Sequence, residues 1–477
     1  MADLTDISDL FPPVEESAWR ALVAKGLKDA PFESLTQSTL EGLPVEPLYP
    51  ALGATPAAFT PRPADAERPW DLRALASHPD PLRANQDALR DLEGGAASIL
   101  VRIDPAGADG VAVGSADGVA RILKDIVLEL APVALDAGFL GSEAAEWLHG
   151  VAKSSPGAKL NFHLDPLGAF AVAGASPGPI DSHLAKAAKA GARFAEIYPA
   201  AQIFLASGTV VHEAGGGEAA ELAFAMASAV AYAKALVEAG LTAPDAFSRI
   251  TVGLAADTDH FLTIAKFRAA RVLWDRIAAA SAAPGAARIE ARSSRRMLAA
   301  QDVWTNMLRL TAAGFGAAVG GADAIALGTF TDPLGPPTAF ARRQSRNTQL
   351  VLMAEAHLGR VADPAAGAGY VEALTDAFAR AAWVKFQAIE SKGGAAAALQ
   401  AGEIAAQVEN ARQARASAGE PRIVGVTAFP PTAPDKVEVE HPKAVPAAAP
   451  SPAVPGDDSR CPALSPIRLS EPFEGRA

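Results

Sequence analysis

Short apolar runs alternate with longer Ala-rich segments from about residue 95 to residue 392 of this chain. Each apolar run ends near a polar or small residue, and the segment that follows carries its apolar residues at helical spacing, as Phe261, Ile264 and Ala265 do. The runs predict eight β-strands: SILVRID (98–104), PVALDAG (132–138), KLNFHLD (159–165), AQIFLAS (201–207), RITVGLA (249–255), ARIEARS (287–293), DAIALGT (323–329) and GRVADP (359–364).

Eight successive strand–helix units are typical of a parallel (β/α)8 TIM barrel, which is an α/β fold. The apolar runs are continuous rather than alternating, as expected for strands whose outer face is covered by helices. An open, doubly wound sheet would give a similar pattern, but no GxGxxG loop follows the first predicted strand. The pattern therefore favours the barrel, which we place at residues 69–395.

A segment of different composition precedes the predicted barrel. Residues 1–68 are predicted to form an N-terminal arm, with one helix that begins after Pro12 and Pro13. The first turn of that helix is assigned to Glu15, Glu16 and Ser17, and its apolar face to Trp19, Leu22 and Val23.

Two further segments follow the barrel. A helix at 396–416 and a strand in the apolar run 422–429 are expected to pack on the barrel as one unit, 396–430. Residues 431–477 are rich in Pro and Ala, a composition that cannot bury a core of its own. This last segment is predicted to be an extended linker or tail.

Composition and charge narrow the range of functions. The net charge of −12 disfavours a surface for nucleic acid or for an anionic membrane, because both need clustered basic residues. The one cysteine, Cys461, allows neither a disulfide within the chain nor a cysteine-based metal site, and no metal ligands are expected. The N-terminus lacks an apolar signal core, and no run of about 18 apolar residues occurs, so we expect a cytoplasmic protein without a transmembrane helix.

The segment SGTVVHEAG (207–215) follows the predicted strand 201–207, where a barrel places an active-site loop. This segment resembles the SGYHxxEAG loop of the methylmalonyl-CoA mutase family. Further matches in family order extend over most of the chain, although residues 74–200 match poorly. They include WRALVAKGL (19–27), LEGLPVEPLYP (40–50), KFRAARVLWDRI (266–277), RSSRRMLAAQDVWTNMLRLT (292–311), AAVGGADAI (317–325) and ARRQSRNTQLVLMAEAHLGRVADPAAGAGYVEALT (341–375).

The resemblance implies a radical rearrangement of a coenzyme A thioester with adenosylcobalamin, yet the positions that do chemistry in the family are replaced here. Thr209 and Val210 stand where the family has Tyr and His, and valine cannot donate a hydrogen bond. An aromatic residue of the family is replaced by Leu75, and a His and an Asn by Ala326 and Gly328. These replacements predict that the chain has no catalytic residues of its own. The nearby His212 is interpreted as structural or interfacial.

Three arginines, Arg292, Arg295 and Arg296, follow the sixth predicted strand at the barrel mouth. Arginine clusters bind phosphates, such as those of coenzyme A, so these residues are candidates for substrate binding; ion pairs between loop and helix are the alternative. The resemblance further implies that Glu213, Asp363 and Gly367 face the cofactor, with an ordinary tight turn as the alternative at 363–370. In the RNTQ segment, on a helix predicted to start at Pro336-Pro337, packing at an interface is favoured for Arg343, Arg346 and Asn347.

A cobalamin-binding domain of this family would carry a DxHxxG motif, whose His ligates cobalt. The one D-x-H here is Asp181-Ser182-His183, with Lys186 in place of the Gly, and it is interpreted as a helix N-cap. The sequence ends at RLSEPFEGRA (468–477), about where that domain would begin in longer relatives. Either the subunit never had the domain, or the sequence is truncated.

The resemblance therefore predicts the small (β) subunit of a heterodimeric methylmalonyl-CoA mutase, an isomerase of propionate metabolism that interconverts methylmalonyl-CoA and succinyl-CoA. Its partner would be the catalytic large (α) subunit, and adenosylcobalamin would belong to the complex, with none bound to this chain alone. An acyl-CoA-binding regulatory subunit is a second interpretation. The third is a split enzyme, in which this barrel pairs with a separate cobalamin-binding chain.

Overall fold

A closed barrel of eight parallel strands forms the centre of the molecule. The structure is a computed structural model that describes residues 14–50, 59–433, 436–443, 446–448 and 455–475. The strand order around the barrel is β10-β3-β4-β5-β6-β7-β8-β9, which confirms the predicted (β/α)8 fold. The barrel strands are β3 (Asp71–Ala76), β4 (Ser98–Arg102), β5 (Val133–Asp136), β6 (Leu160–Leu164), β7 (Gln202–Ser207), β8 (Ile250–Ala256), β9 (Ile289–Ser293) and β10 (Ala324–Ala326).

One of the eight predicted strands is wrong, and one barrel strand was not predicted. The first barrel strand is Asp71–Ala76, which the search for continuous apolar runs missed because Arg73 interrupts it and points its charge into the barrel. The predicted strand 359–364 consists of turns, and its Val361 is 59% exposed, because the barrel is already closed without it. The loop 207–215 therefore follows the fifth barrel strand rather than the fourth, and Arg292 lies at the end of the seventh rather than the sixth.

Helices cover the outside of the barrel, and several begin with a side-chain cap from Asp80, Asp165, Thr242, Asp259 or Thr338. They are Pro81–Glu93, Ala116–Ile122, Gly141–Ala152, Pro166–Ala173, Ile180–Ile197, Thr209–Glu213, Glu218–Glu238, Ala243–Ser248, His260–Ala280, Asn306–Val319, Ala339–Ala354 and Gly369–Ser391. Two starts differ from prediction. The helix of the RNTQ segment starts at Ala339, and Asp181 lies within the first turn of its helix instead of capping it.

The helix Glu218–Glu238 is long and apolar enough to cross a membrane by composition, and it is the one such helix among the described residues. Most of its apolar window, 72%, is buried inside the protein. It packs against strands β7 and β8, and Phe204 of β7 stacks on Tyr232 with ring centroids 4.4 Å apart. These contacts are those of a core helix of the barrel.

The N-terminal arm contains a helix, Glu16–Leu27, in which no residue is buried. A short hairpin of β1 (Gln37–Ser38) and β2 (Pro44–Val45) follows, and its Glu41 reaches the start of the helix Glu218–Glu238. The Glu41 carboxylate accepts hydrogen bonds from the amides of Ala219 at 2.7 Å and Ala220 at 3.3 Å. The arm is thus anchored to the barrel by a helix cap from a distant part of the chain.

The C-terminal part differs from the prediction in two respects. Instead of one helix at 396–416, two helices form at Ala395–Gln400 and Glu403–Ser417. The predicted strand 422–429 is a turn, closed by a single bridge between Val424 and Ala428, because no sheet edge is free to pair with it. Beyond residue 436 the chain runs along the barrel mouth, where Glu440 N bonds Pro336 O and Ala447 N bonds Pro105 O.

Candidate functional site

The barrel axis is filled by charged side chains. Arg73 of β3 donates to Glu290 of β9, and both side chains are at most 5% exposed. His163 of β6 lies 3.9 Å from the same carboxylate through Nε2. Burial, aided by the charges of Arg73 and Arg292, lowers the pKa of His163 to about 4, so His163 is neutral at pH 7. Together these residues close the barrel below its mouth.

A second ion pair crosses the barrel immediately above this level. Arg292 of β9 donates from Nη1 to Asp136 of β5 at 2.8 Å, and these strands lie on opposite sides of the barrel. Arg102 of β4 donates to Asp136 from Nε at 3.3 Å. Burial alone would raise the pKa of the Asp136 carboxyl, but the charges of Arg292 and Arg102 outweigh burial and lower it. Arg292, the first predicted substrate-binding residue, is therefore part of a bridge across the barrel.

A cavity of about 490 Å³ lies at the barrel mouth, beside this bridge. Four of the five positions at which the family's catalytic residues are predicted to be replaced line it, and they come from three separate segments of the chain. Its wall includes Leu75, Thr209, Ala326 and Gly328, together with the predicted site residues Glu213, Arg292 and Arg295. Val210, Arg296, Asp363 and Gly367 are not among the lining residues.

The cavity wall on the side of β10, β3 and β4 contains an apolar cluster beside Arg73 and Arg102. Leu75 pairs with Leu100 across neighbouring strands, and Ala326 pairs with Arg292. Leu75, Leu100 and Ala326 pack together in a small apolar cluster. None of the three can donate a hydrogen bond to a thioester carbonyl or transfer a proton. The Thr209 hydroxyl is engaged with Ser207 at 2.6 Å.

The other two predicted substrate arginines also have protein partners. Arg295 pairs with Asp109 through two hydrogen bonds of 3.1 Å. Arg296 donates to Asp257 at 2.8 Å and to the carbonyls of His212 and Gly216 at 3.1 and 2.9 Å. The geometry thus matches the ion-pair interpretation that the sequence left open.

The three residues expected to face a cofactor are separated. Glu213 lines the cavity and accepts hydrogen bonds from the amides of Arg295 and Arg296 at 3.0 and 3.1 Å, which ties the loop after β7 to the loop after β9. Asp363 pairs with Arg268 of the helix His260–Ala280 at 3.0 Å. The Gly367 amide donates to Glu372 at 3.0 Å. The structure therefore brings Glu213 to the mouth but not the other two.

His212 is buried in a network of charged side chains that the sequence did not predict. Its ring lies 3.3 Å from Glu221 and 3.0 Å from Asp257, and Glu221 also accepts from Lys266 at 2.6 Å. Burial would raise the pKa of Glu221, but Lys266 and His212 lower it to about 2. A sequence signal existed, since Glu221 and Lys266 are isolated charges within Ala-rich helices. Such charges are rarely buried unless they are paired.

The Asp181-Ser182-His183 motif is not arranged like the cobalt-ligating motif of the family's cobalamin domain. His183 packs on the ring of Phe139 at 5.1 Å, and Lys186, at the position of the motif's Gly, pairs with Glu143. Within the described part of the chain, no group of three or more His, Cys, Asp or Glu is placed to hold a metal ion.

The comparisons with known proteins identify the family of the chain. A family model described as methylmalonyl-CoA mutase matches residues 62–449. The chain is 39% identical to a methylmalonyl-CoA mutase small subunit of Streptomyces virginiae and 34% identical to one of Propionibacterium freudenreichii subsp. shermanii, over 91% and 92% of its length. It is 37% identical over 77% of its length to a probable methylmalonyl-CoA mutase small subunit of Mycobacterium tuberculosis.

These relatives are longer than the chain. The matched regions span 74% of the Streptomyces protein, 72% of the Propionibacterium protein and 62% of the Mycobacterium protein. The family model covers well over half of the chain, and two of these relatives exceed 30% identity over more than nine tenths of it. The chain belongs to the methylmalonyl-CoA mutase family.

Proposed function

We propose that this chain is the non-catalytic small subunit of a heterodimeric, adenosylcobalamin-dependent methylmalonyl-CoA mutase. The observation that carries the proposal is the bridge of Arg292 and Asp136 across the barrel, above the buried pair of Arg73 and Glu290. A coenzyme A thioester needs an open path to the reacting centre and polar groups at its carbonyl. Here charged side chains fill the axis, and Leu75 and Ala326 line the cavity.

The names of the relatives support the assignment to a small subunit, which implies a large subunit as partner. In the proposed complex the large subunit binds adenosylcobalamin and performs the isomerisation. This chain stabilises the large subunit, and we place the complex in the cytoplasm. The negative net charge of the chain supports a protein partner rather than nucleic acid or an anionic membrane.

The N-terminal helix Glu16–Leu27 supplies a surface for such a partner. Trp19, Val23 and Leu27 are half-buried on one side of the helix, and Leu22 is 66% exposed. No residue of the helix is buried against the rest of the chain. Within the arm Trp19 packs on Phe32, and an amphipathic helix whose apolar residues remain this exposed commonly docks on another protein. We therefore assign this arm to the interface with the large subunit.

The test is co-expression with a large subunit from the same cell. The chain alone is expected to show no methylmalonyl-CoA turnover, and co-expression should raise the yield and activity of the large subunit. Leu22→Glu should weaken the complex by about tenfold or more, since it places a charge in an apolar interface. Leu130→Glu, at a leucine of the barrel that is 76% exposed, is the matched control. Turnover by the purified chain alone would refute the proposal.

The acyl-CoA-binding alternative receives no specific support from the geometry. Arg292, Arg295 and Arg296 each donate to a carboxylate of the chain, so a bound phosphate would have to displace an existing ion pair. Calorimetry with methylmalonyl-CoA or succinyl-CoA separates the two functions, and we expect no heat of binding at millimolar ligand.

A further inference from the structure

The segment 455–475, which we name the mouth strap, lies across three loops at the mouth of the barrel. Its backbone is hydrogen-bonded in sequence to the loops after β6, β7 and β9. The bonds are Ser176 N to Ser459 O (2.9 Å), Cys461 N to Gly174 O (3.0 Å), Leu464 N to Ala171 O (2.8 Å), Ile467 N to Glu213 O (2.9 Å) and Leu469 N to Arg296 O (3.0 Å). Near its centre, Pro466 forms part of the cavity wall.

Three arginines, Arg296, Arg412 and Arg415, fix the loop after β7 beneath the strap; we name them the arginine clasp. Each carbonyl from His212 to Gly216 accepts a hydrogen bond from the clasp or from the strap. The donors, in carbonyl order, are Arg296 to His212, Ile467 to Glu213, Arg412 to Ala214, Arg415 to Gly215, and Arg296 with Arg415 to Gly216. Arg412 also donates to Ser465 O of the strap at 3.0 Å.

Gly215 shows how closely the strap approaches this loop. Its φ of +97° lies in a region that residues with a side chain rarely adopt. A Cβ at this position would lie 2.9 Å from Ile467 Cδ1 and 3.2 Å from Arg412 Cγ. The positive φ of this turn requires a glycine, and a side chain here would press against the end of Ile467 in the docked strap.

The strap is held by hydrogen bonds more than by a core. Of its residues only Ser459, Leu464 and Ser470 are buried. A segment with few buried apolar contacts opens at a lower free energy than the strands beneath it. The clasp arginines are also crowded, since burial and the charge of Arg296 lower the pKa of Arg415 to about 10.

We propose that the mouth strap is a reversible closure of the barrel mouth, and that the arginine clasp holds it shut over the cavity. Opening it would remove Pro466 from the cavity wall and free the Glu213 carbonyl from the Ile467 amide. A molecule that enters the cavity or docks on the mouth would then compete with the strap. This inference goes beyond the proposed function and does not depend on it.

Hydrogen exchange on the full chain tests the closure. In the double variant Arg412→Ala/Arg415→Ala, we expect peptides with Ile467 and Leu469 to exchange at least about tenfold faster than in the wild type. Peptides from β7 and β8 should keep their wild-type exchange rates, because the hydrogen bonds between these strands do not involve the clasp. Arg380→Ala, which removes an exposed arginine from an ion pair on another helix, should change neither rate.

A second variant separates strap opening from general damage. Ile467→Pro removes the amide that donates to Glu213 O without changing any arginine. It should also accelerate exchange in the strap, and trypsin should then cut faster after Arg468. Wild-type exchange in the strap of both variants would overturn the proposal. Equal acceleration in β7 and β8 would also overturn it, because the strap would then not open as a separate unit.

Discussion

The two sides of the barrel mouth are built on different principles. At the ends of β7, β8 and β9, polar side chains such as His212 and Arg296 are buried, and both lie against the carboxylate of Asp257. At the ends of β10, β3 and β4, small and apolar residues such as Ala326 and Leu75 leave a cavity. The first side is fixed in place, whereas the second has space without reactive groups.

This difference between the two sides explains which residues of the loop 207–215 the fold still needs. Glu213 and Gly215 lie on the fixed side, where one joins two loops and the other admits the mouth strap. Thr209 faces the cavity, so the packing of the loop does not depend on a tyrosine at this position. A loop can thus keep its frame for packing after its chemistry has gone. Resemblance in such a loop therefore identifies a fold and a family more securely than an activity.

The largest expected effect on stability comes from disrupting the buried charge network on the fixed side. Glu221→Ala would leave Lys266 buried without a counter-charge, since Lys266 is 1% exposed and Glu221 accepts its hydrogen bond at 2.6 Å. Loss of one partner of a buried pair costs about 3–5 kcal/mol. The free energy of unfolding from urea denaturation measures this loss.

Lys392→Ala is the matched control, because it breaks a 2.6 Å pair with Glu403 in which the lysine is 58% exposed. That variant should lower the free energy of unfolding by less than about 1 kcal/mol. If both variants lower the free energy of unfolding equally, burial does not make the network on the fixed side more important for stability than a surface ion pair.

The sequence predicted the barrel well because seven of its strands are apolar runs between helical segments. It failed at Asp71–Ala76 because a buried charge interrupts that strand, and at 359–364 because a short apolar run resembles a strand without a partner. Which of these two segments is a barrel strand depends on closure of the sheet, and closure is a long-range property. The predicted strand 422–429 failed for the same reason.

At the site, the sequence located the loop 207–215 and the three arginines but not their partners. Asp136, Asp257 and Asp109 come from different strand ends, and their pairing depends on the register of the closed barrel. Local spacing carries no information on that register. The position of the mouth strap could not be predicted from the sequence either, because most of its contacts with the barrel are made by the backbone.

A smaller effect should come from Asp165, a carboxyl at the end of β6 that has no cation partner. Its hydrogen bonds come from Tyr232 and the Gly168 amide, and burial outweighs them and raises the pKa of Asp165 from 3.8 to about 7. Between pH 4 and 7 the folded chain keeps a proton that the unfolded chain loses. Asp165 therefore stabilises the fold at low pH, and this contribution is lost as the pH rises through 7.

Urea denaturation of Asp165→Asn between pH 5 and 8 measures this pH-dependent contribution to the free energy of unfolding. Asparagine stays neutral, so the free energy of unfolding of the variant relative to wild type should rise with pH, by on the order of 2 kcal/mol over the range. A pH-independent difference would show that Asp165 is ionised in the folded chain, like the paired carboxylates on the fixed side.

The smallest effect is expected where the family's chemistry is put back into the loop. Thr209→Tyr/Val210→His should produce no mutase activity in the purified chain, even with adenosylcobalamin and methylmalonyl-CoA supplied. Val210 does not line the cavity, so a histidine there would not reach a thioester in it, and the ion pair of Arg292 and Asp136 still spans the barrel. Succinyl-CoA formation above the wild-type background would show that the two substitutions alone caused the loss, and that the open side retains a working substrate site.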